Sequence, residues 1–305
     1  LGQLRSIYFC GNFGDPILNN NLIEMCNYAR NIKPELELRI HTNGGARNTR
    51  WWTDLRQSLP DNHVVIFALD GLEDTHRLYR IGTTYDTVIR NAKAFIDAGG
   101  TAEWVFIKFR HNEHQVEEAQ KRATELGFKR FTVKNTIRFI GETKFSVLNE
   151  HGEVDYYIEP PTANNVVLID YAAVERFRSS YKTADVRCYA QKNNEIYIDA
   201  HKNLFPCCFL ASAPYNNTRD NPIVGDIRSA MVDQYHVLVD SLGGIDNLNC
   251  INRSVKDIVE DDRYQSVWAK YWGEDMLMTC ARVCGANLNF SKPNDQFEKR
   301  SSING

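Results

Sequence analysis

The chain has 305 residues, a formal charge of -3 and 43% hydrophobic composition, enough to bury one large core and a smaller one. Neither half carries a long basic run, so the composition gives no support to tight nucleic-acid binding. No stretch approaches the length of a membrane span and no signal peptide opens the chain, so membrane and export classes are not expected and the cytoplasm is the expected location.

In chain order, short apolar runs recur about every 30 residues: LRSIYF at 4–9, LELRI at 36–40, VVIFAL at 64–69, WVFIKF at 104–109 and RFTVK at 130–134. That spacing leaves room for a crossover helix each time and predicts a parallel sheet, either open or part of a barrel. Tyr85, Val88, Ile89, Ala92, Phe95 and Ile96 make one helical stripe, stopped by Gly99-Gly100. A second stripe runs through Val116, Ala119, Ala123 and Leu126, with Asn112 as its N-cap and Gln115 three residues on. The Trp51-Trp52 pair is expected to pack on the helix after the second run.

Beyond residue 139 the rhythm changes. KFSVLNEHGEVDYYIEPP predicts a hairpin turning near Gly152, and 168–182 a short helix. From about 185 an irregular region is expected, held together by something other than apolar burial.

The cysteines are unevenly placed. Cys10 and Cys26 lie in apolar patterns, whereas Cys188, Cys207, Cys208, Cys250, Cys280 and Cys284 fall late in the chain. In CYAQKNNEIYIDAHKNLFPCC, a turn after EIYID returns Cys207 or Cys208 towards Cys188, and CARVCG sets Cys280 and Cys284 four apart, on a helical face or around a tight loop. Converging thiolates suit zinc or an iron–sulfur cluster, and spacing alone leaves both open beside unligated cysteines. Cys250 is expected to be structural.

Ligands of parallel α/β folds sit at strand carboxyl ends. Here those ends carry GNFGDP (11–16), HTNGG (41–45), Asp70-Gly71 followed by His76 and Arg80, RHNE (110–113) and Asn135-Thr136. Exposed backbone and short polar side chains suit a polar ligand, and the same residues also make ordinary βα turns. Asp15 reads as a ligand to a cationic group or as a helix cap. Asp70 reads as a ligand, because an unpaired buried carboxylate is costly. No G-x-G-x-x-G or P-loop occurs.

Together the halves resemble radical S-adenosylmethionine enzymes with a C-terminal SPASM or twitch-type cluster domain. GNFGDP resembles the family's glycine-rich motif, with Gly14 and Asp15 in the Gly–Glu places. HTNGG resembles its Thr-Asn-Gly strand end through Asn43. FALDGLEDTHRLYRIG carries over Asp70, and IKFRHNEHQVEEA carries over Asn112. The resemblance implies a partial (β/α)6 TIM-like barrel lacking its first strand over 1–140, a hairpin and connecting helix over 141–184, a cysteine-rich α+β cluster domain over 185–290 and a flexible tail over 291–305.

The same resemblance implies S-adenosyl-L-methionine as cofactor, contacting Gly14, Asp15, Asn43, Asp70 and Asn112. It also implies an auxiliary [4Fe–4S] cluster on Cys188, Cys207, Cys280 and Cys284, with Cys208 able to replace Cys207. In that family a 5'-deoxyadenosyl radical abstracts a substrate hydrogen, the substrate being a peptide, a small metabolite or another molecule. Flavodoxin or ferredoxin is the expected reductant.

The turn departs from the family where His201-Lys202 replaces Asp-Gly. The family's Cys-x3-Cys-x2-Cys loop, which anchors the cofactor's own cluster, occurs nowhere in the 305 residues. The chain opens at Leu1 on the approach to a strand, so the expectation is that this segment lies upstream and that the chain alone is inactive. The rival expectations are a zinc-stabilised, non-redox binding module on an α/β scaffold and a non-redox barrel enzyme.

Overall fold

The computed structural model describes residues 3–135, 139, 144–162, 171–215, 225–273 and 275–288. These fall into two compact units, one of residues up to 135 with 144–162 and the other of residues from 171 to 288.

Five strands, β1 (Ser6–Phe9), β2 (Glu37–Thr42), β3 (His63–Ala68), β4 (Ala102–Lys108) and β5 (Arg130–Asn135), form one parallel sheet in chain order. They coincide with the five apolar runs. Between them lie α1 (Leu22–Ile32), α2 (Thr49–Ser58), the single turn α3 (His76–Tyr79) and α4 (Tyr85–Asp97), with α5 (Val116–Glu125) joining β4 to β5. Local chemistry sets the helix ends. Asn48 accepts from Trp51 N at 2.9 Å to start α2, and Thr84 accepts from Thr87 N at 3.3 Å to start α4. Gly99, at φ +86°, takes the left-handed turn that closes α4.

Alternation on the strands divides the sheet into two faces. Leu38, Ile40, Val65, Phe67, Trp104 and Phe106 belong to one core with Leu22, Trp52, Leu55, Val88, Phe95 and Ala119 of the helices. All are essentially inaccessible to water, and each large side chain contributes on the order of 2 kcal/mol of transfer free energy. Trp52 packs there as expected, its indole N–H bonded to Ala46 O at 3.2 Å. The register leaves the intervening residues, Tyr8, Glu37, Arg39, His41, Glu103 and Arg130 among them, on the opposite face.

The hairpin forms as read, with β6 (Phe145–Leu148) antiparallel to β7 (Val154–Ile158). Asn149 closes its turn by accepting from His151 N and Glu153 N. Tyr156 anchors it by donating to Leu78 O at 2.7 Å.

The second unit differs from expectation. Far from irregular, it is mostly helical: α6 (Tyr171–Ser180), α7 (Tyr189–Asn193), α8 (Cys208–Ala211), α9 (Gly225–Ser241), α10 (Val255–Val259), α11 (Asp262–Tyr271) and α12 (Met278–Cys284). It also has an apolar core of its own, including Val174, Phe205, Leu210, Met231, Leu238 and Leu277. The expected hairpin is β8 (Tyr197–Ile198) paired with β9 (Leu204–Phe205). In its turn Lys202 has φ +69°, so this lysine carries the left-handed backbone that a glycine adopts more cheaply. The expected tail, 291–305, and the start of the expected connecting helix lie outside the described residues.

Candidate functional site

The loops at the strand ends are built from side chains that hold one another. Asp15 follows β1. Its Oδ1 accepts from Ile17 N at 3.2 Å, starting a turn of 3-10 helix at Pro16. Its Oδ2 accepts from Thr42 Oγ1 at 3.0 Å and from Asn43 N at 2.7 Å, beyond β2. One carboxylate therefore caps its own loop and stitches it to the next. Asn43 adds an Asx turn, its Oδ1 accepting from Gly45 N at 2.9 Å. Gly14 has φ +143°, a conformation that disfavours any residue with a Cβ.

Asp70, beyond β3, is 0% exposed. Its Oδ2 accepts from Arg80 Nε at 2.6 Å and its Oδ1 from Ile107 N at 2.5 Å. The sequence reading made Asp70 a ligand on the ground that an unpaired buried carboxylate is costly; in the structure Arg80 and the Ile107 N–H are its partners. Asn112, also 0% exposed, makes no cap bond and forms no capping box with Gln115, in contrast to expectation. It donates instead to Asp70 O and Ile107 O, both at 3.0 Å, and accepts from Phe109 N at 2.7 Å. Gln115 bonds Leu72 N, the Thr75 hydroxyl and Asp74 rather than the helix start. The structure thus pairs Asp15 with Asn43 and Asp70 with Asn112, each pair fastening two neighbouring strand ends.

His76 is fully buried, bonded through Nε2 to Thr83 Oγ1 at 2.9 Å. Burial, aided by the Arg80 charge, lowers its pKa to about 4. His111 stacks on Phe109 with ring centres 5.4 Å apart, and burial lowers it to about 4 as well.

In the second unit, Cys188, Cys207, Cys280 and Cys284 line one small cavity of about 10 Å³. Three stretches bring them there. Cys188 precedes α7, Cys207 precedes α8 after the β8–β9 return, and Cys280 and Cys284 lie one turn apart on α12. Arg187 N bonds Cys284 O at 3.0 Å, clamping the first stretch to the last. Cys208, which opens α8, does not line the cavity.

The thiols perturb one another. A hydrogen bond from Cys284 lowers Cys188 to about 6, and the same shared proton raises Cys284. Burial raises Cys207 and, more strongly, Cys280. Cys26, enclosed in the first core, is pushed up to about 12 by burial and behaves as packing. Cys250 is half-buried, packs against the second core and is absent from the cavity lining.

No three His, Cys, Asp or Glu side chains among the described residues are disposed to hold a single metal ion. One zinc requires its sulfurs all at about 2.3 Å from one point. A cluster asks for soft donors around a wider core, each on its own iron, and the donor set here fits that type. The space is no larger than about one water-sized sphere, so cluster binding requires the thiols to spread.

Two other features escaped the sequence reading. Tyr189 lies against the thiols, burial and their charges raising its pKa. On the face of the sheet opposite that core, Arg39 and His41 alternate with the core residues Leu38 and Ile40. Charges at every second place inside an apolar strand were the signal for a lined polar face.

No protein-family model and no curated protein matches the chain. Among solved structures it is similar to SuiB of Streptococcus suis, 15% identical over 74% of this chain and 54% of that one, with a TM-score of 0.44. It is similar to anSMEcpe with bound AdoMet and Cp18Cys peptide, 13% identical over 92% and 75% of the two chains, with a TM-score of 0.47. A third is the radical S-adenosylmethionine methyltransferase TsrM of Kitasatospora setae with cobalamin and a [4Fe-4S] cluster bound, 10% identical over 52% and 40%, with a TM-score of 0.35. The chain spans about half the length of the SuiB chain it aligns with.

Proposed function

We propose that the chain belongs to a radical S-adenosylmethionine enzyme and that its C-terminal unit holds an auxiliary [4Fe–4S] cluster on Cys188, Cys207, Cys280 and Cys284. The observation that carries this reading is the gathering of those four thiols, from three separate stretches, around one cavity. Sequential parallel strands ending in glycine- and asparagine-rich loops support it from the other unit.

In this reading Gly14 and Asn43 offer an open backbone edge to the amino end of S-adenosylmethionine. Asp15 orders that edge. Its carboxylate has about four acceptor positions and three are in use, leaving one for an ammonium. Asp70 and Asn112, fully buried and each bonded at both of its side-chain polar atoms, are positioning residues that fix the shape of the next two loops.

When bound, the cofactor and clusters supply one-electron cleavage and hydrogen abstraction, and the protein supplies orientation and exclusion of water. Because the 305 residues contain no Cys-x3-Cys-x2-Cys, the cluster that anchors the cofactor would draw its ligands from polypeptide outside them. A reducing protein of the flavodoxin or ferredoxin kind would deliver the electron, and a peptide or small metabolite would be the substrate.

Anaerobic reconstitution with iron and sulfide, followed by metal analysis, tests the proposal. About four irons per chain are expected. Cys188→Ala, Cys280→Ala and Cys284→Ala should lose them, and Cys10→Ala and Cys26→Ala should keep them. One tightly held zinc and no iron would instead establish the zinc-stabilised module.

A further inference from the structure

Besides gathering four sulfurs, the second unit surrounds them with hydrogen-bond donors, and the donors differ from one sulfur to the next. Cys188 and Cys207 each stand just ahead of a helix, where backbone N–H groups have no intrahelical partner. Those of Ala190 and Gln191 turn to Cys188, and those of Phe209 and Leu210 to Cys207. The Tyr189 N–H turns to Cys284.

Cys280 has no such supply. It lies inside α12 and is 7% exposed, and the N–H that follows it is spent on the helix, Ala281 N bonding Leu277 O at 3.0 Å. Its donor is a side chain. Trp272 lines the same cavity, keeps its indole Nε1 out of solvent and turns that N–H to the Cys280 sulfur. A second side chain serves Cys207, which accepts from the Tyr189 hydroxyl.

A donor aimed at sulfur favours the more negative form of the group to which that sulfur belongs. For an iron–sulfur centre that is the reduced form, so donors on ligating sulfurs raise the reduction potential. We propose that Trp272 and Tyr189 are positioning residues of the thiol centre, orienting Cys280 and Cys207 through their sulfurs and holding the cluster's reduction potential above the value the thiolates alone would give. This rests on the cluster proposed above and adds to it the side chains that tune it.

Potentiometric titration of the whole chain, reconstituted with iron and sulfide, reduced by dithionite and followed by electron paramagnetic resonance, tests the proposal. Each cluster takes up one electron, and no bond is made or broken. Tyr189→Phe removes only a hydroxyl, and Trp272→Phe removes the N–H with part of the ring. Each variant should bind the parent's iron and move the potential to a more negative value, and the double variant should move it by about the sum of the two. Tyr271→Phe removes a buried hydroxyl that meets Ser241 Oγ at 3.0 Å, and it should leave the potential where it is. Iron-loaded variants that keep the parent's potential, or a shift in Tyr271→Phe as large as theirs, would overturn the proposal and leave the cluster standing. A parent chain that takes up no iron would remove both. Tyr189→Phe decides alone if Trp272→Phe fails to load.

Discussion

Asp70 illustrates how one side chain settles a local structure. It receives a guanidinium from Arg80 and a backbone N–H from β4 while wholly removed from water. Asp70→Asn keeps the shape but leaves the Arg80 charge, itself only 25% exposed, without its counterion. Urea denaturation should register a loss of about 3–5 kcal/mol. His76 carries a different signature. Its pKa is about 4 in the folded chain and about 6.5 unfolded. As pH falls from 6.5 towards 4 the unfolded chain takes up the proton first, so stability is complete above about pH 6.5 and declines below it. One such histidine gives a slope of up to about 1.4 kcal/mol per pH unit. His41 and His111 act in the same direction. Denaturation midpoints followed across that window should fall, and His76→Gln should flatten the decline.

Among the elements, the five parallel strands were legible because each is an apolar run bounded by turn residues, and the 3.6-residue stripes gave α4 and α5. The alternation that predicted the β8–β9 return is equally plain in the sequence. What stayed hidden was most of the helix in the second unit. α9 buries Ile227, Met231, Leu238 and Val239, but Val237 is exposed on its outer side, blurring the stripe. The polar loop before it gave no clear start. At the candidate site, spacing drew Cys188, Cys280 and Cys284 together but left Cys207 and Cys208 open, and Cys207 is the one that lines the cavity. The roles of Asp70 and Asn112 were not legible, because their partners lie on loops adjacent only in space. The departure at His201-Lys202 acquires a physical meaning in the turn: Lys202 is exposed and left-handed. Lys202→Gly relieves that conformation against a gain in unfolded-chain entropy, and a thermal melt should show a net stabilisation of about 0.5–1 kcal/mol.

On the scale of the whole molecule, surface chemistry governs behaviour in solution. No helix among the described residues is long and apolar enough to cross a membrane. A groove of about 510 Å³ runs between β1 and α1, lined by Ile7, Phe9, Met25, Tyr28 and Ala29. Met25 is 43% and Tyr28 66% exposed, and among the described residues β1 pairs on one side only. An open strand edge beside an apolar groove, on a chain of net charge -3, favours association. Sedimentation should show mass rising with concentration, and the double change Met25→Glu with Tyr28→Glu should abolish the rise. The thiol cavity has a mechanical corollary. Cys188 and Cys284 bracket nearly all of the second unit, so any bond joining their sulfurs ties off a loop of roughly a hundred residues, a constraint on the order of 4–5 kcal/mol in a chain-entropy treatment. A metal centre on those sulfurs would then double as the clasp of its own domain, and stripping it should unfasten the helices long before it touched the sheet.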